Sequence, residues 1–338
     1  MLSKNVKRAL LIYLDLIISM LIWNVNQNIF GNPIVICLIL STTTFLIIFT
    51  PFEIYWSFRD FWFDRWTEMY PNDLIISKLN IPINNRKSTR KRCISALLIY
   101  SRDNKLIQIK NSIVIICHGF SDSKETLQNY YYPLAYHGHI VLAYDARGTG
   151  GSKKLGKRGQ FLKRIDDYKK IIKWIKSQQA FQKKRISSIG FSIGAITVLS
   201  GGFQNKIIEK IIAISGISIY KKNLPRFNPL IIINYLLKGV KIFPNEEYNR
   251  KLSPYLVFEQ LKDKIDEQEW NSLTSRIMLI HAENDHIIKF KNFKENSSIL
   301  NPFPYNKAIL KKGGHTHKKN ELILVGCTLD FLDRIKNN

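Results

Sequence analysis

The pentapeptide Gly190-Phe191-Ser192-Ile193-Gly194 lies where two segments of different character meet. The apolar run before it, residues 185–189, predicts a buried strand, and the run after it, residues 195–199, predicts the first turns of a helix. A serine at such a sharp turn has a strained backbone, and a glycine two residues away on each side leaves room for the turn. The segment therefore predicts a serine hydroxyl that projects beyond the end of a strand. A strand-to-helix turn with an incidental serine is the alternative for the pentapeptide alone.

Two later predicted strands end in side chains that can activate a hydroxyl. Residues 276–281 are followed by Asp285, and residues 305–310 are followed by His315. A free serine hydroxyl is a poor nucleophile at neutral pH, so it needs an imidazole to take its proton and a carboxylate to orient that imidazole. The sequence therefore predicts Ser192 as nucleophile, Asp285 as acid and His315 as base. Each follows a strand, where ligand sites of parallel sheets lie.

Strands and helices alternate over most of the chain, which predicts an α/β protein with a mostly parallel central sheet and helices on both faces. Residues 94–100 and 106–109 flank a turn-like tetrad and predict a hairpin. The alternation stops at residues 216–275, which contain four prolines and the apolar run 230–243, and we expect an inserted lid there. The other predicted elements are strands at 113–117, 139–144 and 207–215 and helices at 123–137, 161–176 and 321–335.

From about Leu74 to the C-terminus, the chain resembles the α/β-hydrolase superfamily, whose members carry their triad in the order nucleophile, acid, base. The resemblance rests on the pentapeptide, on the acid and base named above, on His118-Gly119-Phe120, and on the turn from Asp145 to Ser152. It implies an α/β-hydrolase fold and a structural role for that turn. It also implies an oxyanion hole formed by the backbone N–H groups of Phe120 and Ile193.

Other residues compete for the catalytic roles. His317 is the alternative base, but the glycine pair before the predicted base favours His315. Glu283 is the alternative acid, although it lies earlier in the same loop. His118 is expected to be structural, because the family uses this segment for its backbone groups. His286 follows the acid too directly to act as the base.

Two apolar segments near the N-terminus, residues 9–23 and 34–50, predict a transmembrane helical hairpin within residues 1–51. A signal peptide, or a hairpin buried in the globular domain, is the alternative. An aromatic-rich juxtamembrane segment (52–73) and the hydrolase domain (74–338) follow. Basic residues flank the hairpin but are absent from its loop, which predicts that the catalytic domain lies on the cytoplasmic face. These residues are Lys4, Lys7, Arg8, Arg86, Lys87, Arg90, Lys91 and Arg92.

The formal charge of +25 is large, and such a charge is attracted to anionic lipid or nucleic acid. No zinc finger, RNP-like motif or basic recognition helix accompanies it, so we expect membrane association and no nucleic-acid partner. The four cysteines show no metal-ligand or redox spacing, which fits a reducing compartment. The glycine-rich residues 148–151 lack the lysine of a P-loop, and we expect neither a cofactor nor a metal.

These features predict a membrane-anchored serine hydrolase of the esterase or lipase type, which cleaves carboxylic esters or thioesters through an acyl-enzyme. The apolar run in the lid and the membrane anchor favour a lipophilic acyl substrate. A serine peptidase-like activity is one alternative, and a non-catalytic hydrolase-fold protein that binds a ligand or partner at the membrane is another. The sequence does not determine the oligomeric state.

Overall fold

The computed structural model describes residues 4–62, 66, 71–83, 92–224 and 229–334, and the backbone divides into two compact units, 1–64 and 65–338. In the first unit, α1 (Lys4–Asn28) is joined by a short link to α2 (Ile34–Trp62). The two helices pack against each other, and an ion pair joins Arg8 to Glu53. The first unit is therefore a helical hairpin.

Both helices of the hairpin are long and apolar enough to cross a bilayer. Only 11% of the most apolar window of α1, and 6% of that of α2, is buried within the structure. Two such helices are weak evidence for a membrane protein, although so small a buried share is unlike a core helix. The helix α2 continues through Pro51, so residues 52–62 of the aromatic-rich segment are helical. The predicted basic cluster at residues 86–91 lies outside the described residues.

The second unit is built on an eight-stranded sheet with the order β1-β2-β4-β3-β5-β6-β7-β8. The pairs β1–β2 and β2–β4 are antiparallel, and every later pair is parallel, so the sheet is mostly parallel as predicted. The strands are β1 (Leu74–Pro82), β2 (Cys93–Ser101), β3 (Ser112–Cys117), β4 (Ile140–Tyr144), β5 (Arg185–Phe191), β6 (Ile208–Ile214), β7 (Ile277–Ala282) and β8 (Lys307–Leu310).

The hairpin predicted at residues 94–109 is wrong in its second half. Residues 104–110 form a helix, α3 (Asn104–Lys110), because Asp103 caps it by accepting a hydrogen bond from the Lys105 N–H at 2.9 Å. The partner of β2 is instead β1, which precedes it, with Leu74 opposite Ser101 and Pro82 opposite Cys93. The apolar residues of α3 had resembled a strand because a run of four is too short to reveal its periodicity.

Helices cover both faces of the sheet. Alternate residues of β3 divide between two buried clusters: Ile113 and Ile115 pack with α5 and α6, whereas Val114 and Ile116 pack with α4 and α12. This is the period-two pattern of a strand buried on both sides. The helices of the second unit after α3 are α4 (Gln128–Tyr136), α5 (Phe161–Ser177), α6 (Ile193–Gly202), α7 (Pro229–Leu237), α8 (Glu246–Leu252), α9 (Pro254–Lys262), α10 (Glu267–Thr274), α11 (Lys291–Leu300) and α12 (Glu321–Asp333).

The predicted insertion lies between β6 and β7 and contains helices α7 to α10. Its later part is docked on the domain, where Phe203 meets the rings of Phe258 and Trp270 at centroid distances of 4.6 and 5.6 Å. Its earlier part differs, because α7 has no buried residue and Leu230 and Leu237 are 77% and 72% exposed. The insertion therefore presents an uncovered apolar helix on the second unit.

Candidate active site

Ser192 occupies the strained turn predicted between β5 and α6. Its φ and ψ angles are 54° and −112°, and its backbone N–H donates to the carbonyl of Ile214 at 2.9 Å. A positive φ is rare for a residue with a side chain, and such strain persists only where the surroundings impose it. The surrounding hydrogen bond to β6 holds this turn, and the serine side chain is half-buried at the end of the strand.

The two glycines of the pentapeptide are required by close backbone contacts. A Cβ at position 194 would lie 1.9 Å from the carbonyl oxygen of Cys117, at the end of β3. A Cβ at position 190 would lie 2.2 Å from the carbonyl oxygen of Gly194. Both distances are far inside van der Waals contact, so the start of α6 can approach the sheet only because these side chains are missing.

Asp285 and His315 are hydrogen-bonded. Nδ1 of His315 lies 2.8 Å from Oδ2 of Asp285, and the other carboxylate oxygen accepts from the N–H groups of Ile287 and Ile288 at 2.9 and 2.8 Å. Since Nδ1 donates to the carboxylate, Nε2 is the nitrogen that can accept a proton. The structure thus joins the predicted acid and base in the arrangement that orients an imidazole.

Two opposing effects act on the Asp285 carboxyl. Its burial alone would raise its pKa, but hydrogen bonds from His281 and His315 and from the Ile288 N–H outweigh burial and hold the pKa well below its usual range. The carboxylate is therefore ionised at neutral pH. The corresponding stabilisation is present above the pKa of the unfolded carboxyl and is lost as the pH falls toward the folded value.

The loop that carries His315 is fixed from two sides. The N–H of Gly314 donates to the Asn284 side chain at 2.9 Å, beside the acid. His317 is buried and lies 2.9 Å through its Nε2 from the hydroxyl of Ser215. Ser215 directly follows Ile214, which accepts the Ser192 N–H. Through its contact with Ser215, His317 thus connects the loop that carries His315 to the end of β6, which in turn holds the turn at Ser192.

The hydroxyl of Ser192 forms no hydrogen bond with another of the described residues. In the predicted triad, the structure therefore contains the hydrogen bond between Asp285 and His315 but not one from Ser192 to His315. Nucleophile–base contacts are often long in unliganded hydrolases and close in the substrate complex. Glu283, the alternative acid, is exposed and contacts β8 through its backbone N–H, which donates to Leu310. His286 is also exposed.

The predicted oxyanion donors lie on either side of the serine. A Cβ at Gly119 would be 3.5 Å from the Cβ of Ser192, so the loop that ends in Phe120 runs directly beside the nucleophile. Ile193 is the first residue of α6, where backbone N–H groups have no partner within the helix. Among the described residues, neither the Phe120 N–H nor the Ile193 N–H donates to a protein acceptor. Two unpaired donors beside a serine are suited to an anionic oxygen.

His118 joins the oxyanion loop to the turn after β4. Its Nδ1 donates to the Gly119 carbonyl at 2.7 Å, and its Nε2 accepts from the Ala146 N–H at 2.9 Å. Burial, together with the nearby charge of Arg164, lowers the pKa of the imidazole to about 4, so it is neutral at pH 7. Both ring nitrogens are used by the backbone, which is the structural role expected from the sequence.

A third apolar cluster forms a wall beside the nucleophile. It contains the side chains of Phe120 and Ile193, the two predicted oxyanion residues, together with residues of α5 and of the insertion. The ring of Phe120 meets those of Phe161 and Tyr235 at centroid distances of 5.8 and 5.5 Å. Such a wall can bury the apolar chain of a substrate.

Sequence reasoning missed several residues that shape this site. Asn284 and Ser215 hold the base loop, and Arg158 and Lys238 lie against the ring of Phe120. Asn284 directly precedes Asp285 in the sequence, so a hydrogen-bonding role for its amide was open to prediction. Arg158 and Lys238 had no such pattern, because they come from segments that are distant in sequence. No cluster of three or more His, Cys, Asp or Glu side chains suited to a metal occurs in the described part of the chain.

Comparisons with known proteins agree with this geometry. The family model described as "Serine aminopeptidase, S33" matches residues 108–266. An esterase from Pyrococcus furiosus is similar over 79% of this chain and 96% of its own, at 20% identity and a TM-score of 0.55. An acylaminoacyl peptidase from Pyrococcus horikoshii is similar over 79% of this chain and 42% of its own, at 16% identity and a TM-score of 0.55.

The second unit has the α/β-hydrolase fold. Two curated relatives, both described as uncharacterized 31.7 kDa proteins of the traX-finO intergenic region of Escherichia coli, are 28% identical over 108 residues, or 31% of this chain. The matched segment spans 37% of the length of these relatives. The comparisons support a hydrolase and do not distinguish an esterase from a peptidase.

Gly194→Ala should lower the free energy of unfolding of this hydrolase by about 3 kcal/mol, because the new methyl group would overlap the Cys117 carbonyl. The control is Gly326→Ala in α12, where a Cβ would meet no atom within 4 Å. That change should stabilise the helix by roughly 0.5–1 kcal/mol. Denaturant unfolding of the full chain in detergent measures both. Equal stability of the two variants would show that the close approach of α6 to β3 is not required.

The buried neutral His118 should make stability depend on pH. Its folded pKa of about 4 lies below the ordinary value of 6.5, so the unfolded chain binds more protons between these values and stability falls as the pH drops through this range. His118→Asn should reduce the slope of unfolding free energy against pH by about 1 kcal/mol per pH unit. His286→Asn, at an exposed position, is the control. Coinciding slopes for the wild type and His118→Asn would contradict the buried, neutral state.

Proposed function

We propose that this protein is a serine hydrolase that cleaves carboxylic esters or thioesters through an acyl-enzyme formed on Ser192. One observation carries the proposal: the strained serine lies between two unpaired backbone N–H groups, at the same sheet edge as the Asp285–His315 pair. A strained serine alone would fit a structural turn. The unpaired donors and the oriented imidazole are the parts that acyl transfer requires.

In the proposed mechanism, Nε2 of His315 takes the hydroxyl proton as the Ser192 oxygen bonds to the acyl carbon. The carbonyl oxygen becomes negative and accepts hydrogen bonds from the N–H groups of Phe120 and Ile193. The bond to the leaving oxygen or sulfur then breaks, and the imidazolium returns its proton to the leaving group. Water then attacks the acyl-enzyme as Nε2 of His315 takes its proton. The bond between the Ser192 oxygen and the acyl carbon breaks, the imidazolium returns the proton to Ser192, and the carboxylic acid is released. Asp285 stays ionised throughout and stabilises the imidazolium.

A lipophilic acyl substrate is favoured by the surroundings of the serine. The apolar wall around Phe120 and Ile193 continues into the insertion through Tyr235 and Val240. The exposed helix α7 adds Leu230 and Leu237, and Phe243 beyond it is 85% exposed. Apolar surface of this kind is costly in water and is typical of proteins that meet lipid or another protein. We propose that the insertion contacts the acyl chain or the surface that supplies it.

Peptide-bond cleavage is the second candidate. It is favoured by the description of the matching family model as a serine aminopeptidase and by the similarity to an acylaminoacyl peptidase. The same serine, imidazole and oxyanion donors can cleave an amide, so the choice depends on the substrate and not on the triad. A panel that contains both bond types therefore separates the two candidates.

The full chain in detergent should hydrolyse 4-nitrophenyl esters, with a higher kcat/KM for long than for short acyl chains. It should hydrolyse N-acyl-aminoacyl nitroanilides more slowly than these esters. Ser192→Ala should lower the rate by about 10⁴-fold or more, because it removes the nucleophile. Ser200→Ala, which changes a serine of the same helix bonded to the Leu252 carbonyl, should leave it unchanged. Faster cleavage of the nitroanilides would establish the peptidase. Absence of Ser192 labelling by a fluorophosphonate in the folded protein would establish a non-catalytic binding protein.

We also propose that the helical hairpin crosses the membrane and leaves the hydrolase unit on the cytoplasmic face. Arg8 lies near the start of α1 and Arg92 follows α2, while the link between the helices, residues 29–33, carries no charge. A C-terminal tag should be digested by protease in inside-out vesicles and protected in intact spheroplasts, because basic flanks remain in the cytoplasm. Digestion in spheroplasts alone would reverse the orientation, and release of the protein by carbonate would rule out insertion.

A further inference from the structure

Two cations lie against the ring of Phe120, the residue proposed to donate to the oxyanion. The guanidinium carbon of Arg158 is 5.9 Å from the ring centroid, and Nζ of Lys238 is 5.5 Å from it. Arg158 belongs to the loop before α5, and Lys238 directly follows α7 in the insertion. Two segments that are distant in sequence thus place positive charge at one point beside the nucleophile.

The positions of these cations are fixed by the backbone. The N–H of Gly159 donates to the carbonyl of Lys238 at 2.8 Å. A Cβ at Gly159 would lie 2.3 Å from the Val240 nitrogen, and a Cβ at Gly148 would lie 2.3 Å from the Arg158 nitrogen. Contacts this close leave the loop and the insertion little freedom to move apart. The backbone positions that carry the two charges are therefore held close together.

Among the described residues, no acid lies at ion-pair distance from either cation: neither Arg158 nor Lys238 has a carboxylate oxygen within 4.0 Å. Asp122 acts on Arg158 only at longer range. Asp167, on α5, is already bound by Arg147, which donates to both its oxygens at 2.8 and 2.7 Å.

A third, buried cation lies behind the pair. Arg164 is 2% exposed, and its guanidinium lies 5.8 Å from the ring of Phe161, which in turn packs against Phe120. Its Nε and Nη2 atoms have no hydrogen-bond partner among the described residues. Burial lowers the pKa of the guanidinium to about 10, so it remains charged at pH 7. A buried charge without a partner is costly, and an anion nearby would offset that cost.

We propose that Arg158 and Lys238 bind an anionic group, a phosphate or a carboxylate, carried by the acyl substrate, and that Arg164 adds to the positive potential of this site. The proposal rests on the proposed hydrolase function and specifies its substrate class: an ester with a negative charge close to the reacting bond. A guanidinium and an ammonium are the side chains that bind phosphate and carboxylate most strongly. Charge that is partly withdrawn from water also attracts such a group more strongly than an exposed lysine does.

Two pairs of substrates test the proposal with the full chain in detergent. Oleoyl lysophosphatidate and monooleoylglycerol share an acyl chain and differ in the phosphate. The mono-4-nitrophenyl ester of glutaric acid and 4-nitrophenyl valerate are soluble and differ in the carboxylate. The wild type should prefer the anionic member of at least one pair, measured as kcat/KM. Preference within the lysolipid pair alone identifies a lipid headgroup as the source of the charge, and preference in both pairs identifies any anionic ester.

Arg158→Gln and Lys238→Gln should each lower this preference by about 10-fold, while kcat/KM for the neutral member changes less than 2-fold. Lys262→Gln is the matched control, since Lys262 lies 5.7 Å from the ring of Trp270, away from the serine, and should change neither. Raising the salt concentration should reduce the preference of the wild type and leave that of the double variant unchanged. Equal losses on neutral and anionic esters, or no preference in the wild type, would overturn the proposal.

A binding measurement separates failure of this proposal from failure of the hydrolase function. Dodecyl phosphate should raise the thermal unfolding temperature of the Ser192→Ala protein more than dodecyl maltoside does, and this difference should disappear in Ser192→Ala combined with Lys238→Gln. That result supports the anion site even if no ester is cleaved. Equal shifts from the two detergents, together with normal hydrolysis of neutral esters, would reject the anion site and keep the hydrolase.

Discussion

The start of α6 lies so close to the end of β3 that residue 194 has no space for a side chain. This single steric constraint determines much of the site. It forces the chain to turn sharply at Ser192, where φ is positive, and it brings the helix N-terminus beside the loop that contains Gly119 and Phe120. The N-terminus of the helix, which carries the positive end of its dipole, and two unpaired N–H groups then lie near the serine hydroxyl. The arrangement is made by backbone contacts, so it is present before any substrate binds.

Two sets of charged groups lie near Ser192, one acidic and one basic. On one side, the Asp285 carboxylate is buried, yet hydrogen bonds keep it ionised and paired with His315. On the other, Arg158, Lys238 and the buried Arg164 have no carboxylate partner among the described residues. The first set is suited to activating a nucleophile, and the second to attracting a negative group. The proposed site would therefore combine an acyl-transfer apparatus with a preference that depends on the charge of its substrate.

Much of the hydrolase fold could be predicted because strongly periodic apolar segments alternate and end in characteristic residues. The strands that carry Ser192, Asp285 and His315 were predicted within a few residues of their positions, and the superfamily assignment was confirmed. The short segment 106–109 was predicted as a strand, and a capping bond from Asp103 makes it helical. The triad and oxyanion assignments remain proposals. Arg158 and Lys238 could not be predicted, since only the folded chain brings residues 80 positions apart onto one ring.

The hydrogen bond from Gly159 to the Lys238 carbonyl has a consequence for any replacement of the insertion between β6 and β7. The insertion between β6 and β7 looks like an exchangeable module, because it begins after the carboxyl end of β6 and ends before the amino end of β7, outside both strands. Here the backbone of the insertion contacts the 157–159 loop at Gly159, where a side chain would not fit. Replacing the insertion with a foreign segment would remove these backbone contacts and displace the loop beside Phe120. Exchange of the insertion without the 157–159 loop would therefore alter the surroundings of Ser192 as well as the apolar surface of α7.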